Sequence, residues 1–166
     1  MAQVFGFAGW SGAGKTTLIR KIIGHLVQRG LRVSTIKHAH HDFDIDQPGK
    51  DSWEHREAGA TEVLIASDRR WALMRELRGA AEPSLATLLG KLGPADLVLV
   101  EGFKREAIPK MEVFRAEAGK PPLHPEDRAI IALASDTAFP ASGLPLFALD
   151  AIDEIARFVH EHAARF

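Results

Sequence analysis

Hydrophobic positions along the chain fall into short continuous runs separated by stretches with helical spacing. Val4-Phe5-Gly6-Phe7-Ala8 is the first run and predicts a buried strand. Leu18, Ile19, Ile22, Ile23, Leu26 and Val27 then recur on one helical face until Gly30 stops the helix. Leu31–Lys37 predicts a second strand, which completes a βαβ unit. His38–Ser52 is polar and aperiodic, the pattern of an ordered loop around Pro48-Gly49. Ser52 is placed to cap a short helix running through Ala58, with Gly59 ending it.

Glu62–Ala66 and Arg70–Met74 read as two strands, with Asp68-Arg69 suited to a tight reversal between them. Ser84–Leu92 predicts a helix that carries Leu85, Leu88, Leu89 and Leu92 on one face and ends at Gly93-Pro94. Leu97-Val98-Leu99-Val100 is continuously apolar, as in a strand covered on both faces. Lys110–Arg115 alternates and predicts a further strand; Gly119–Pro122 reads as a loop. Ala129–Ala134 and Pro145–Leu149 are buried-strand candidates. Asp150 is placed to cap a last helix bearing Ile152, Ile155, Ala156, Phe158 and Val159. Strands alternating with helices predict an α/β fold, a largely parallel sheet flanked by helices, with a β-hairpin extension. No repeat or linker divides the 166 residues, so a single domain, 1–166, is expected.

The junction between the first strand and the first helix fixes a ligand class. Gly9-Trp10-Ser11-Gly12-Ala13-Gly14-Lys15-Thr16-Thr17 is a phosphate-binding P-loop in the strand–turn–helix setting it requires. Backbone N–H groups from Ser11, Gly12, Ala13, Gly14, Lys15, Thr16 and Thr17 would converge on phosphate oxygens, aided by the helix N-terminus. Lys15 would reach the β- and γ-phosphates, and the Thr16 hydroxyl would hold Mg²⁺. The fold expectation narrows accordingly to a P-loop NTPase-like domain.

Such a site needs a carboxylate at a neighbouring strand end, and Glu101 stands where Leu97–Val100 delivers one. Other residues carry two readings each. His38, His40 and His41 follow no familiar zinc spacing, whereas Asp44 or Asp46 could face the phosphates through Mg²⁺-bound water or contact substrate. Gly102-Phe103-Lys104-Arg105 with Lys110 is either a solvated charged loop or an anion site. Asp136 could accept guanine N1–H and N2–H or cap the next turn; the Lys that GTP-binding proteins often place two positions earlier is here Ala134. Trp10 either packs beneath the P-loop or covers a neighbouring ligand.

Composition then removes whole classes. The formal charge of −1 gives no support for an extended nucleic-acid surface. The absence of cysteine excludes disulfides, thiolate zinc sites and cysteine nucleophiles, and fits a reducing cytosol. No apolar run approaches the roughly 20 residues of a membrane helix, and no basic-plus-apolar leader opens the chain. A soluble cytoplasmic protein is expected.

With these blocks in order along nearly the whole chain, the sequence resembles the MobB-type molybdopterin-guanine dinucleotide biosynthesis proteins, P-loop GTP-binding adaptors. The resemblance is carried by Gly9–Thr17, by Thr35-Ile36-Lys37-His38 through Asp46 with Pro48-Gly49-Lys50-Asp51-Ser52, and by Ala58-Gly59-Ala60. Glu101-Gly102-Phe103-Lys104 with Pro109-Lys110, and Ala134-Ser135-Asp136, complete it. It implies a homodimer that binds GTP and Mg²⁺, hydrolyses GTP weakly, and assists a separate guanylyltransferase in attaching GMP to molybdenum–molybdopterin. By matching positions the P-loop holds the triphosphate, Thr16 and Glu101 lie near Mg²⁺, and Asp136 lies near the base. No residue is assigned to water activation. Two rival functions share the P-loop. A small-molecule or nucleoside kinase would need a lid of arginines, for which Arg69, Arg70, Arg75 and Arg78 are the clustered candidates. A nucleotide-switched interaction module would instead use the His-Asp loop as a γ-phosphate-ordered switch.

Overall fold

The computed structural model describes residues 2–39 and 43–166. In chain order the elements are β1 (Gln3–Ala8), α1 (Lys15–Gln28), β2 (Val33–Lys37), α2 (Asp51–Glu57), β3 (Glu62–Ala66), β4 (Trp71–Arg75) and α3 (Leu85–Leu89). There follow β5 (Leu97–Glu101), β6 (Lys110–Phe114), a 3₁₀ turn at Ala116–Ala118, β7 (Ile130–Ser135), β8 (Leu146–Phe147), α4 (Ile152–His162) and β9 (Ala164–Arg165). Backbone contacts divide the chain into two compact units. One comprises the chain up to His38 with Leu85–Phe166; the other is Ala39–Ser84.

The larger unit is built on a sheet of order β2-β5-β1-β6-β7-β8 whose neighbours all run parallel. Period-2 alternation sends the two faces of β1 into different cores. Phe5 and Phe7 pack with Leu18, Ile22 and Leu26 of α1 and with Ile155 and Val159 of α4. Val4, on the opposite face, joins Val98, Val100, Ile36, Ile108 and Leu85. Both faces are therefore covered, which is why β5 reads as an uninterrupted apolar run. β6 meets β1 only from Gly6 to Ala8. The strand edge left at Gln3 and Val4 is taken by β9, antiparallel, an element too short to show in the sequence pattern.

The α/β expectation, parallel sheet and hairpin included, agrees with this architecture; several boundaries differ. β2 starts at Val33 rather than Leu31. Arg32 is instead held at the foot of the sheet, where its backbone N–H and guanidinium donate to Asp96 at 2.8–3.1 Å. Neither expected cap is used: α2 is preceded by Lys50 and α4 by Ala151, without a side-chain cap at either. The predicted helix over 84–92 and strand over 145–149 contract to α3 and β8.

The expected strand over 110–115 forms as β6, and its charged residues lie inside: Lys110 is 1% exposed and Glu112 0% exposed. Lys110 Nζ donates to the Lys104 carbonyl oxygen at 2.7 Å and to Asp127 at 2.8 Å. Glu112 accepts the backbone N–H groups of Leu123 and His124 at 2.6 and 2.9 Å and lies 2.9 Å from His124 Nδ1. Burial is tolerated because each charge is matched inside a closed network. The lysine stem needs room as well: a Cβ on Gly6 would come within 2.8 Å of Lys110 Cγ.

The smaller unit holds α2 and the β3–β4 hairpin, in the register Glu62↔Arg75, Leu64↔Leu73 and Ala66↔Trp71. Val63 points to the buried side, while Leu64, Leu73 and Trp71 share an exposed face. No helix among the described residues is long and apolar enough to cross a membrane.

Candidate functional site

β1 ends at Ala8, and the chain turns through Gly9–Gly14 before α1 begins at Lys15. Two positions show why the turn is built from glycine. Gly9 has φ +145°, and a Cβ there would collide with the Val113 carbonyl oxygen of β6. Gly14, the residue before α1, has φ +91°. Ser11 and Gly12 lie exposed at the crest, Ala13 is buried with its N–H on the Trp10 carbonyl at 3.2 Å, and Thr16 and Thr17 are exposed in the first helical turn. The loop is thus an open cradle of backbone donors over a helix N-terminus. Lys15 folds back across it, donating to the Gly9 and Trp10 carbonyl oxygens at 2.7 and 2.9 Å. Burial pulls its ammonium below the ordinary lysine range; Glu101 opposes this, and the nearby Lys104 and Lys37 reinforce it.

Glu101, the last residue of β5, is brought to this loop as the sequence predicts. The Thr16 hydroxyl donates to it, with Oγ1 lying 3.2 and 3.4 Å from its two carboxylate oxygens. Its side chain is only 14% exposed, and Lys37 Nζ from the end of β2 stands 4.0 Å away. The adjoining ends of β2 and β5 are tied together: His38 N–H donates to the Glu101 carbonyl at 2.8 Å, and the His38 and Phe103 rings are 5.1 Å apart. A Cβ on Gly102, at φ +93°, would come within 2.7 Å of His38 Cβ.

On the opposite flank of β1, Asp136 follows β7. Its Oδ1 accepts the Ala116 N–H at 3.1 Å and the Thr137 hydroxyl at 3.0 Å. The Ala116 N–H chiefly holds this carboxyl below the usual range; burial opposes it, and Thr137 and the charge of Arg115 add to the lowering. The turn-capping geometry is therefore present, fixing the exit of β6 to the exit of β7.

Trp10 is an anchor between loops. Its Nε1 donates to the Pro121 carbonyl at 2.8 Å, and Lys104 Nζ lies 4.4 Å from the ring centroid. The basic cluster predicted beyond Glu101 accordingly splits. Lys104 stays exposed at the rim, whereas Lys110 is sequestered in its buried pair with Asp127 and belongs to neither reading given to it above.

Asp44 and Asp46 sit in the smaller unit, where both engage Arg56, at 2.9 and 3.1 Å, alongside Glu76 at 3.5 Å. These contacts tie the segment before α2 to the helix, while Asp46 Oδ2 is buried without a hydrogen-bond partner among the described residues. His40, His41 and Asp42 lie outside the described residues. Among the described residues no group of His, Cys, Asp or Glu is arranged to hold a metal ion by itself.

One residue of the site escapes sequence reasoning. Arg115, directly after β6, lays its guanidinium against the P-loop: a Cβ on Gly14 would come within 3.1 Å of its Nε. In the sequence it is one more charge at a strand end. Only the β1–β6 adjacency puts it beside Gly14.

Comparison with known proteins agrees with this geometry. Residues 4–136 match the model of the MobB family, described as molybdopterin guanine dinucleotide synthesis protein B. The chain is 45% identical over 164 residues to a molybdopterin-guanine dinucleotide biosynthesis adapter protein of Escherichia coli, covering 97% of this chain and 93% of that one. It is 42% identical to the Haemophilus influenzae protein of the same name over 168 residues, 98% of this chain and 93% of the relative. A crystal structure of molybdopterin-guanine biosynthesis protein B superposes with a TM-score of 0.75 at 30% identity, over 95% of this chain and 97% of the other. With the P-loop, its facing carboxylate and most of the parallel sheet inside the matched region, the chain belongs to the MobB family.

Proposed function

We propose that this protein is a GTP-binding adapter in molybdopterin-guanine dinucleotide biosynthesis, working beside a separate guanylyltransferase on molybdopterin or its molybdenum complex. The observation that carries the reading is a P-loop with Thr16 facing Glu101, in a chain 45% identical along nearly its whole length to an adapter protein of that pathway.

The donor set suits Mg²⁺. A hydroxyl and a carboxylate are the hard oxygen ligands that ion takes, and two protein oxygens leave room for phosphate oxygens and water. Thr16 and Glu101 would hold the ion, which when bound neutralises charge on the β- and γ-phosphates. Lys15, already directed across the loop, would exchange its carbonyl partners for phosphate oxygens. Asp136 is the candidate for contact with guanine. With no residue assigned to water activation, slow hydrolysis is the expected turnover.

The homodimer finds support in the smaller unit. An isolated two-stranded hairpin is marginally stable, yet this one exposes Leu64, Leu73 and Trp71 on one face. A second copy would cover them. Two of the four arginines that a kinase lid would draw on are engaged within the smaller unit: Arg75 pairs with Glu62 at 3.4 Å, and Arg78 donates to the Arg56 and Ala60 carbonyls. The absence of cysteine fits the reducing cytoplasm in which such an adapter would work.

Titration with GTP, GDP and ATP in the presence and absence of Mg²⁺, together with capture of the guanylyltransferase, tests this function. GTP binding strengthened by Mg²⁺ is expected. In Lys15→Ala it should fall about tenfold or more, the worth of one charge-assisted contact. ATP preference with phosphoryl transfer to a metabolite would replace the adapter with a kinase.

A further inference from the structure

The two flanks of the P-loop are unlike. In the order β5-β1-β6-β7, Thr16 and Glu101 define one flank, and Arg115 and Asp136 define the other. Mg²⁺ and the P-loop lysine act at the β- and γ-phosphates. The γ end of a bound nucleotide would therefore point toward β5, and its α-phosphate, ribose and base toward β6 and β7.

Arg115 occupies that second flank beside a positive helix end, with the Asp136 carboxylate near enough to feel its charge but not bonded to it. Its guanidinium lies against Gly14, the residue preceding α1, where the helix dipole is positive. Lys15 is the next residue. Among the described residues the Arg115 side chain makes no hydrogen bond and no ion pair within 4 Å. A cation set beside a positive helix end, without a bonded partner, is relieved by an anion placed between them. Its direction is nonetheless fixed from behind, because the following N–H, that of Ala116, is bound by Asp136 at 3.1 Å. The position two before Asp136, where many GTP-binding proteins carry a lysine, is Ala134, fully buried and uncharged.

We infer that Arg115 is a nucleotide-binding residue on the base-ward side of the P-loop, gripping the α-phosphate and lying along the base in place of the lysine missing at position 134. The inference rests on the P-loop reading proposed above. A planar guanidinium suits both contacts, since it forms forked bonds to phosphate and stacks on aromatic faces. Both partners occur in GDP and GTP alike, so Arg115 supplies affinity without distinguishing the two and without acting on the chemical step.

Affinities of wild type, Arg115→Ala and Arg115→Lys for GTP, GDP and pyrophosphate, with single-turnover hydrolysis of GTP, decide the matter. Arg115→Ala should weaken GTP and GDP by the same factor, about tenfold to a hundredfold, and pyrophosphate less. Its melting temperature should match wild type, and Arg115→Lys should recover part of the lost affinity. Unchanged affinity for both nucleotides overturns the role. A loss confined to GTP, or a slower chemical step, overturns it too, by placing Arg115 at the γ-phosphate. Wild type that folds yet binds neither nucleotide would overturn the P-loop reading itself, and Arg115 with it.

Discussion

Strands β5 and β6 flank β1 on opposite sides and handle charge in opposite ways. β5 is apolar until its last residue, Glu101, which reaches the rim with, among the described residues, a hydroxyl at 3.2 and 3.4 Å, a lysine at 4.0 Å and the charge of Lys15 for company. β6 carries Lys110 and Glu112 inside the protein, each in a filled set of short bonds. The difference separates charges that build the fold from charges left available to a ligand. A buried group whose acceptor or donor capacity is spent has nothing to offer a substrate. A half-satisfied carboxylate beside a phosphate cradle does.

Mutation should expose that division. Glu112→Ala is expected to be the most damaging change, because it leaves the Leu123 and His124 N–H groups and the His124 ring without their shared acceptor. Removing one member of a buried charged network costs about 3–5 kcal/mol, read directly by chemical denaturation. The segment released also carries Pro121, the partner of Trp10, so nucleotide affinity should fall as well. A Glu112→Ala protein as stable as wild type would dissolve the contrast between the strands.

Glu101→Gln should behave in the reverse manner. Its stability is expected to stay within about 0.5 kcal/mol of wild type, as for a change that breaks no buried network. The strengthening of GTP binding by Mg²⁺ should shrink severalfold, measured as the ratio of affinities with and without the ion. Loss of stability comparable to Glu112→Ala, with Mg²⁺ dependence retained, would make Glu101 another structural charge.

The same contrast explains what could be read before any coordinates. The P-loop and Glu101 were legible because both are local: a glycine-rich turn between strand and helix, and an acid ending an apolar run. Strands β1, β5 and β7 were legible because burial on both faces leaves an unbroken apolar signature. Lys110 and Glu112 were not, since alternating charge along a strand carries no mark of the loop, Leu123–Asp127, that closes over it. The pairing of Asp44 and Asp46 with Arg56 was hidden for the same reason, Arg56 being ten or more residues distant in sequence. Arg115 needed the strand order itself. Local chemistry was visible; partnership across the sheet was not.

A third use of charge should give the smallest effect and sharpens the scale. At the foot of β5, Asp96 accepts from the Arg32 guanidinium and backbone N–H, with side chains 41% and 65% exposed. The Arg32 side-chain bonds, then its backbone N–H, lower the Asp96 carboxyl from its ordinary 3.8 to about 2, against the opposing effect of burial. A carboxyl depressed by folding stabilises the native state where it is ionised in both states, above about pH 4. That contribution fades as pH falls toward 2, where the folded form also takes up its proton. Asp96→Asn should therefore lower the melting temperature slightly at neutral pH and flatten its decline between about pH 4 and pH 2. An unchanged acid limb in Asp96→Asn would mean that water already screens this pair to nothing. A charge can be bonded bidentately and still contribute little when solvent reaches both partners, so it is burial, more than bond count, that sets Glu112 apart from Asp96.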